Sequence, residues 1–149
     1  MKKILIISIV MFTFISTLSA QDGIGVGIIA GEPTGLSGKM WMADNTAIDL
    51  GMAWSFSGEK NSFHIHGDYL WHNFSLIKVD QGKLPLYFGV GARARFGVNA
   101  NIGVRIPVGL AYIFEQAPVD IFLEMVPIMD LIPDTRFDFN GGVGARVYF

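Results

Sequence analysis

The chain has 149 residues, and its first twenty read as a leader, so Gln21 to Phe149 amount to a single domain. That stretch carries nine Lys and Arg against thirteen Asp and Glu, a formal charge near −4, and no basic stripe to neutralise phosphates, which argues against a nucleic-acid partner. Cysteine is absent and charged residues make up only about 17% of the domain, below the ~25% typical of soluble domains, so an apolar surrounding is expected rather than disulfide staples.

The leader is read from Lys2 and Lys3, an apolar run from Ile4 to Ile15, and Leu18-Ser19-Ala20 at the cut. This is the pattern of a secretory signal peptide over residues 1–20, although Leu18 is not the usual small residue three before cleavage. The apolar run is too short to span a bilayer, which needs ~20 residues. After Ala20 no stretch reaches the length of a transmembrane helix. A chain that is apolar overall but has no long apolar run points to alternating strands. In lipid, unpaired backbone groups leave only helices or closed barrels as spanning structures.

Period-two alternation runs through eight segments. Ile24, Val26, Ile28 and Ala30 share one face of the first, and Glu32-Pro33-Thr34-Gly35 closes a turn with Gly35 at its permissive position. The second sets Leu36, Met40 and Met42 against Lys39 and turns at Ala43-Asp44-Asn45-Thr46. The third sets Ile48, Leu50, Met52, Trp54 and Phe56 against Ala47, Asp49, Gly51, Ala53 and Ser55, with the next turn at Gly58-Glu59-Lys60-Asn61. The fourth opposes Phe63, Ile65, Tyr69 and Trp71 to His64, His66, Asp68 and His72. Its alternation falters at Asn73-Phe74, where a bulge is expected, and it ends by Asp80-Gln81-Gly82-Lys83.

The fifth places Leu86, Phe88, Val90, Ala92, Ala94 and Phe96 opposite Tyr87, Gly89, Gly91, Arg93 and Arg95. The sixth runs unbroken from Ile102 to Phe114, with Gly103, Arg105, Gly109 and Glu115 on its polar side. The seventh sets Val119, Ile121, Leu123 and Met125 against Asp120 and Glu124. The last alternates Phe137, Phe139, Val143, Ala145, Val147 and Phe149 with Asp138, Asn140, Gly142, Gly144, Arg146 and Tyr148. The expected fold is all-β: an eight-stranded antiparallel up-and-down transmembrane β-barrel over residues 21–149, an even strand count that closes without an edge.

Alternation alone does not say which face points inward. Eight strands enclose a lumen just wide enough for side chains, and the apolar face carries too many Phe and Trp to fit there. With the apolar face outward, Lys39, Arg93, Arg95, Arg105 and Arg146 share the interior with Asp49, Asp68, Glu115, Asp120, Glu124 and Asp138. Five positive and six negative groups nearly cancel, as buried charges must. The reading is a lumen plugged by paired side chains rather than a selective pore, which would show an excess of one sign.

The final strand stops at an aromatic residue, Phe149, with Val147 two before it, and resembles the carboxy-terminal strand that the outer-membrane assembly machinery recognises. With the leader and the eight segments, the mature chain resembles the transmembrane domain of outer membrane protein A and the small barrel of outer membrane protein X. Gly31-Glu32-Pro33-Thr34-Gly35-Leu36-Ser37 followed by Asp49 to Phe56 is similar to a family of small bacterial barrels of uncharacterised function. The resemblance implies outer-membrane localisation and contact with outer-membrane lipid and the assembly machinery. It brings no active site, and unlike protein A the sequence shows no peptidoglycan-binding domain after Phe149.

Two constellations bear on chemistry. His64, His66 and Asp68 share one strand face and are the candidate metal ligands, with His72 nearby, but ligands drawn from one strand are a weak signal. Barrels that modify lipid need a serine with histidine and a carboxylate. Ser55, Ser57, Ser62 and Ser75 fit no recognised pattern, although Ser55 and Ser62 flank a turn close to His64. Gly23, Gly25 and Gly27, and Gly89 with Gly91, precede no helix and are not nucleotide-binding fingerprints. No cofactor is expected. The expected role is a monomeric structural barrel with short outward loops near Glu32–Thr34, Ser57–Asn61, Gly97–Asn101 and Asp130–Arg136 facing external partners. The alternatives are a lipid-modifying enzyme and a soluble lipocalin-like binder.

Overall fold

The computed structural model describes residues 20–32, 34–55, 62–98 and 100–149. Residues 1–19, with most of the expected leader, Pro33, residues 56–61, with the expected turn, Asn99, and the side chain of Ser55 lie outside the described residues. Within them the chain is all β, and no helix is long and apolar enough to cross a membrane.

Strands β1 (Ile24–Glu32), β2 (Thr34–Ala43), β3 (Thr46–Ser55), β4 (Ser62–Asn73) and β5 (Leu86–Phe96) pair antiparallel in chain order. β6 (Asn101–Arg105) and β7 (Val108–Ile113) both lie between β5 and β8 (Val119–Ile132). β9 (Arg136–Tyr148) pairs with β8 and with β1, closing the ring. Eight strand positions result, because β6 and β7 are two parts of one. The expected unbroken sixth strand is interrupted at Ile106-Pro107, where Pro107 has no N–H to give the ladder. The interruption is shallow. Ile106 N still donates to Pro127 O (3.0 Å), Gly89 N donates to Pro107 O (2.9 Å), and the pairing offsets with β5 and β8 are the same on both sides.

The two faces are inverted relative to a water-soluble barrel. Leu50 is 59% exposed whereas its neighbour Asp49 is 5% exposed. Ile24, Val26, Ile28, Leu36, Met40, Met52, Trp54, Ile65, Trp71, Phe88, Val90, Leu123, Phe139 and Val143 are exposed in the same way. The interior holds Lys39, Arg93, Arg105, Arg146 and their carboxylates. The apolar face is outward, so each strand's alternation is the seam between an oily exterior and a charged core.

Three further details differ from the sequence reading. β4 keeps its register to Asn73↔Leu86 and then leaves the ladder without a bulge. The Asn73 carboxamide oxygen accepts from Ser75 N (2.9 Å), Ser75 Oγ (2.8 Å) and Leu76 N (3.2 Å), so Asn73 starts a turn. The register shifts lie instead at Trp41/Ala43 and Ile102/Gly103. The strand therefore ends well before Asp80, and residues 74–85 form the longest described connection. At the first hairpin the residue with positive φ is Gly31 (φ 153°), not Gly35, and Thr34 Oγ1 donates to Gly31 O (3.0 Å).

The ring sorts the connections by end. Glu32 and Thr34, Ser55 and Ser62, Phe96 and Asn101, and Ile132 and Arg136, the strand ends of four connections, lie at one end. Residues 20–23 and Phe149 lie at the other, with residues 44–45, 74–85 and 114–118. Ile24 and Phe149 exchange backbone hydrogen bonds there (3.2 and 3.0 Å). Trp41 Nε1 donates to Ala20 O (3.0 Å), Gln21 Nε2 to Asp44 O (2.7 Å) and Lys83 Nζ to Gln21 Oε1 (2.6 Å), which lays residues 20–23 along this end.

Candidate functional site in the barrel lumen

Alternation sends every second side chain inward, so the lumen is a stack of charged tiers. Nearest the termini, Arg146 of β9 donates from Nε and Nη2 to the two oxygens of Asp120 (3.0 and 3.1 Å). Its Nη1 donates to Asp49 Oδ2 (2.7 Å) and Ser37 Oγ (3.4 Å). The guanidinium lies 4.0 Å over the Phe122 ring, and Tyr148 OH donates to Asp120 Oδ2 (2.7 Å). Every group of this tier has a partner, which is the condition for burying charge.

Beside it, Lys39 Nζ sits 2.7 Å from His72 Nε2 and 4.4 Å from the Trp41 ring centroid. The Asn45 carbonyl can only accept, so His72 Nδ1 carries the proton that faces it (3.3 Å), and Nε2 accepts from Lys39. His72 is thus a positioning group for Lys39.

At mid-height, Arg105 of β6 meets both oxygens of Asp68 (3.0 and 3.1 Å) and approaches Glu124 (3.6 Å), whose other oxygen accepts from Tyr87 OH (2.8 Å). Toward the loops, Arg93 bridges Asp130 (3.0 Å) and Asp138 (2.7 Å). Arg95 reaches the same pair at 3.8 and 3.5 Å, and Asn101 Nδ2 donates to Asp130 (3.2 Å).

Ten of the eleven expected network residues come together: Lys39, Asp49, Asp68, Arg93, Arg95, Arg105, Asp120, Glu124, Asp138 and Arg146. Glu115 does not. It lies exposed in the 114–118 turn, because the strand ends at Ile113 and the inward alternation ends with it. Its place in the charge balance is taken by Asp130, which is fully buried and which the sequence reading left in a loop. The signal was present: Asp120, Phe122, Glu124, Val126, Ile128 and Asp130 are all buried on alternate positions of β8. Pro127 concealed it, since proline normally ends a strand. Here it stands opposite the Ile106-Pro107 break, where the ladder is already interrupted.

The lumen glycines have a common role. Gly25, Gly51, Gly91, Gly103, Gly109 and Gly144 are direct cross-strand partners of Tyr148, His66, Asp68, Asp130, Tyr87 and Phe122. A Cβ on any of them would overlap the atoms of that partner residue or the backbone beside it. Each glycine cedes its volume to one large interior side chain, and so eight strands can enclose five cations and six carboxylates.

The expected ligand trio shares the inward face of β4, but Asp68 gives both oxygens to Arg105. Among the described residues no three His, Cys, Asp or Glu converge as a metal would require. His64 and His66 lie with ring centroids 5.6 Å apart. Ser62 is the register partner of Ser55, and Ser75 is bound to Asn73 at the other end. Among the described residues no hydrogen bond joins a serine to a histidine.

No protein-family model and no curated protein sequence matches this chain. Solved structures do. The N-terminal β-barrel domain of Pseudomonas aeruginosa OprF is 12% identical with a TM-score of 0.62, over 85% of this chain and 96% of that one. Neisserial surface protein A is 12% identical with a TM-score of 0.55, over 85% and 93%. The outer membrane enzyme PagL is 13% identical with a TM-score of 0.52, over 84% and 99%. These likenesses establish the fold: an eight-stranded antiparallel barrel of the outer-membrane type.

Proposed function

We propose that this chain is a structural outer-membrane barrel, exported by its leader and anchored as a monomer in outer-membrane lipid. Its lumen does not conduct, and its short loop-end tips are the surface offered to external partners. The observation that carries this reading is the pairing of an apolar outer wall with an interior closed by ion pairs from Arg146 up to Arg93. An open pore needs a continuous polar path of one dominant sign, whereas here each interior arginine is held by carboxylates and Lys39 by His72 and the Trp41 ring. The test is planar-bilayer recording on protein whose folding is verified by heat-modifiable gel mobility. No stable channel is expected, and large reproducible single-channel currents would overturn the plugged lumen.

The same reading makes Val147 and Phe149 the assembly signal. Both side chains face outward, 36% and 54% exposed, on the strand that seals the ring against β1. Deleting Phe149 is expected to lower the amount of barrel in the outer membrane while export continues. Full recovery in the outer membrane would refute the signal. The fold shared with an outer membrane enzyme keeps the lipid-modifying alternative in view: a chemical change of outer-membrane lipid on incubation with refolded protein would displace the structural reading.

A further inference from the structure

Between Arg105 and the loop-end tier, the lumen is not filled by side chains. A cavity lined by Ile29, Ala53, His66, Val126 and Asn140 leaves about 20 Å³ of space for the centre of a water molecule. One water needs roughly 10–15 Å³ by that measure, together with two to four polar partners. The partners are at hand. Among the described residues, Asn140 Nδ2 and His66 Nδ1 are buried atoms with no hydrogen-bond partner, and both residues line this cavity. A buried polar group left unmatched is destabilising, so two on one cavity wall call for a guest.

The charges around the cavity say what kind of guest. Arg105 lines it beside Glu124 and Glu32, so the wall mixes both signs and offers neither ion a surface of purely opposite charge. No third metal-binding side chain joins the two imidazoles among the described residues. A neutral imidazole presents one donor and one acceptor, and a carboxamide presents both, so the guest must donate and accept. We propose that this cavity is a binding site for a single ordered water, held by Asn140 and His66. The loop-side half of the lumen is then hydrated at its base, and His66 is structural, serving water rather than metal.

The test uses the folded barrel in detergent. A crystal structure that shows ordered solvent is expected to reveal one peak within hydrogen-bond distance of Asn140 Nδ2 and His66 Nδ1. In solution, the Asn140 carboxamide protons are expected to cross-relax with water. An empty site, or a peak with the anomalous signal of a metal or halide, would overturn the proposal. Asn140→Leu should remove the peak and lower the urea midpoint, because it strands His66 and evicts the water. A raised or unchanged midpoint would show that the site was dry. Should that variant fail to fold, the wild-type crystal and solution measurements decide the matter alone.

Discussion

Toward the chain termini the lumen is sealed around Arg146, whose side chain is fully buried and whose donors go to Asp120, Asp49 and Ser37. Toward the loops it is held by Arg93 and Arg95, which share Asp130 and Asp138 with side chains that are 24% and 33% exposed at Arg95 and Asp138. In the sealed half Arg146 and Lys39 match Asp49 and Asp120 in formal charge. In the open half Arg93, Arg95 and Arg105 face Asp68, Glu124, Asp130 and Asp138, one carboxylate in excess. A dry tier must satisfy every donor with protein. A tier reached by solvent can leave a formal charge to water, and Arg95 and Asp138 are the members of this one that solvent reaches.

The sharpest way to break the comparison is to remove the central cation from each half. Arg146→Met strands Asp49 and Asp120 without their guanidinium, and breaking a buried pair costs about 3–5 kcal/mol. Phe122 also loses the guanidinium over its ring, while Tyr148 keeps its hydrogen bond to Asp120. The expected outcome is a large fall in the folded fraction in lipid vesicles, read by heat-modifiable mobility and urea unfolding. A loss under about 1 kcal/mol, the size expected of a solvent-screened pair, would mean that the termini-end half is not sealed.

How much of this was readable beforehand depended on the kind of signal. The face rule was legible: Ile48 to Trp54 alternate with small and charged residues, and lumen size fixes which set is inside. From that rule ten network members followed. Partner choice did not follow, because Arg146 meets Asp49 across 97 positions of sequence, a distance set by ring closure and not by any local pattern. The failures came at strand ends. Glu115 falls outside the lumen because β7 ends at Ile113, and Asp130 falls inside because Pro127, a breaker in sequence, is harmless opposite another gap in the ladder. Tyr87 and Tyr148 were assigned to the inward face, but nothing in sequence showed that their hydroxyls complete the carboxylate shells.

The two halves should also differ in how they tolerate a single added methyl. In the sealed half, a Cβ on Gly25 would lie 2.6 Å from the Tyr148 ring, which cannot retreat because its hydroxyl is held by Asp120. Overpacking of that kind costs about 1–3 kcal/mol, so Gly25→Ala is expected to destabilise within that range. In the open half, a Cβ on Gly51 would meet the His66 ring, which borders the cavity and has room to move. Gly51→Ala is therefore expected to lose less. Urea unfolding of the two variants in the same vesicles makes the comparison. Equal losses would show that the loop-side lumen is packed as tightly as the other half.

The smallest effect is expected at Arg95. It stands 3.5 Å from Asp138 and 3.8 Å from Asp130, but Arg93 already bridges both carboxylates at shorter range, and Arg95 is a quarter exposed. Its attraction is screened by water, and its removal leaves Asp130 with Arg93 and Asn101 still bound. Arg95→Gln should therefore cost no more than about 1 kcal/mol, and the loss should shrink further in high salt, as for an exposed pair. The same change at Arg93 leaves Asp130 buried with the longer Arg95 contact as its one ion pair, beside the Asn101 hydrogen bond, so the two arginines separate the buried from the screened contribution within one tier. A loss at Arg95 that equals the loss at Arg93 and is indifferent to salt would place the water boundary above Asp138, and the loop-side tier would then be as dry as the one around Arg146.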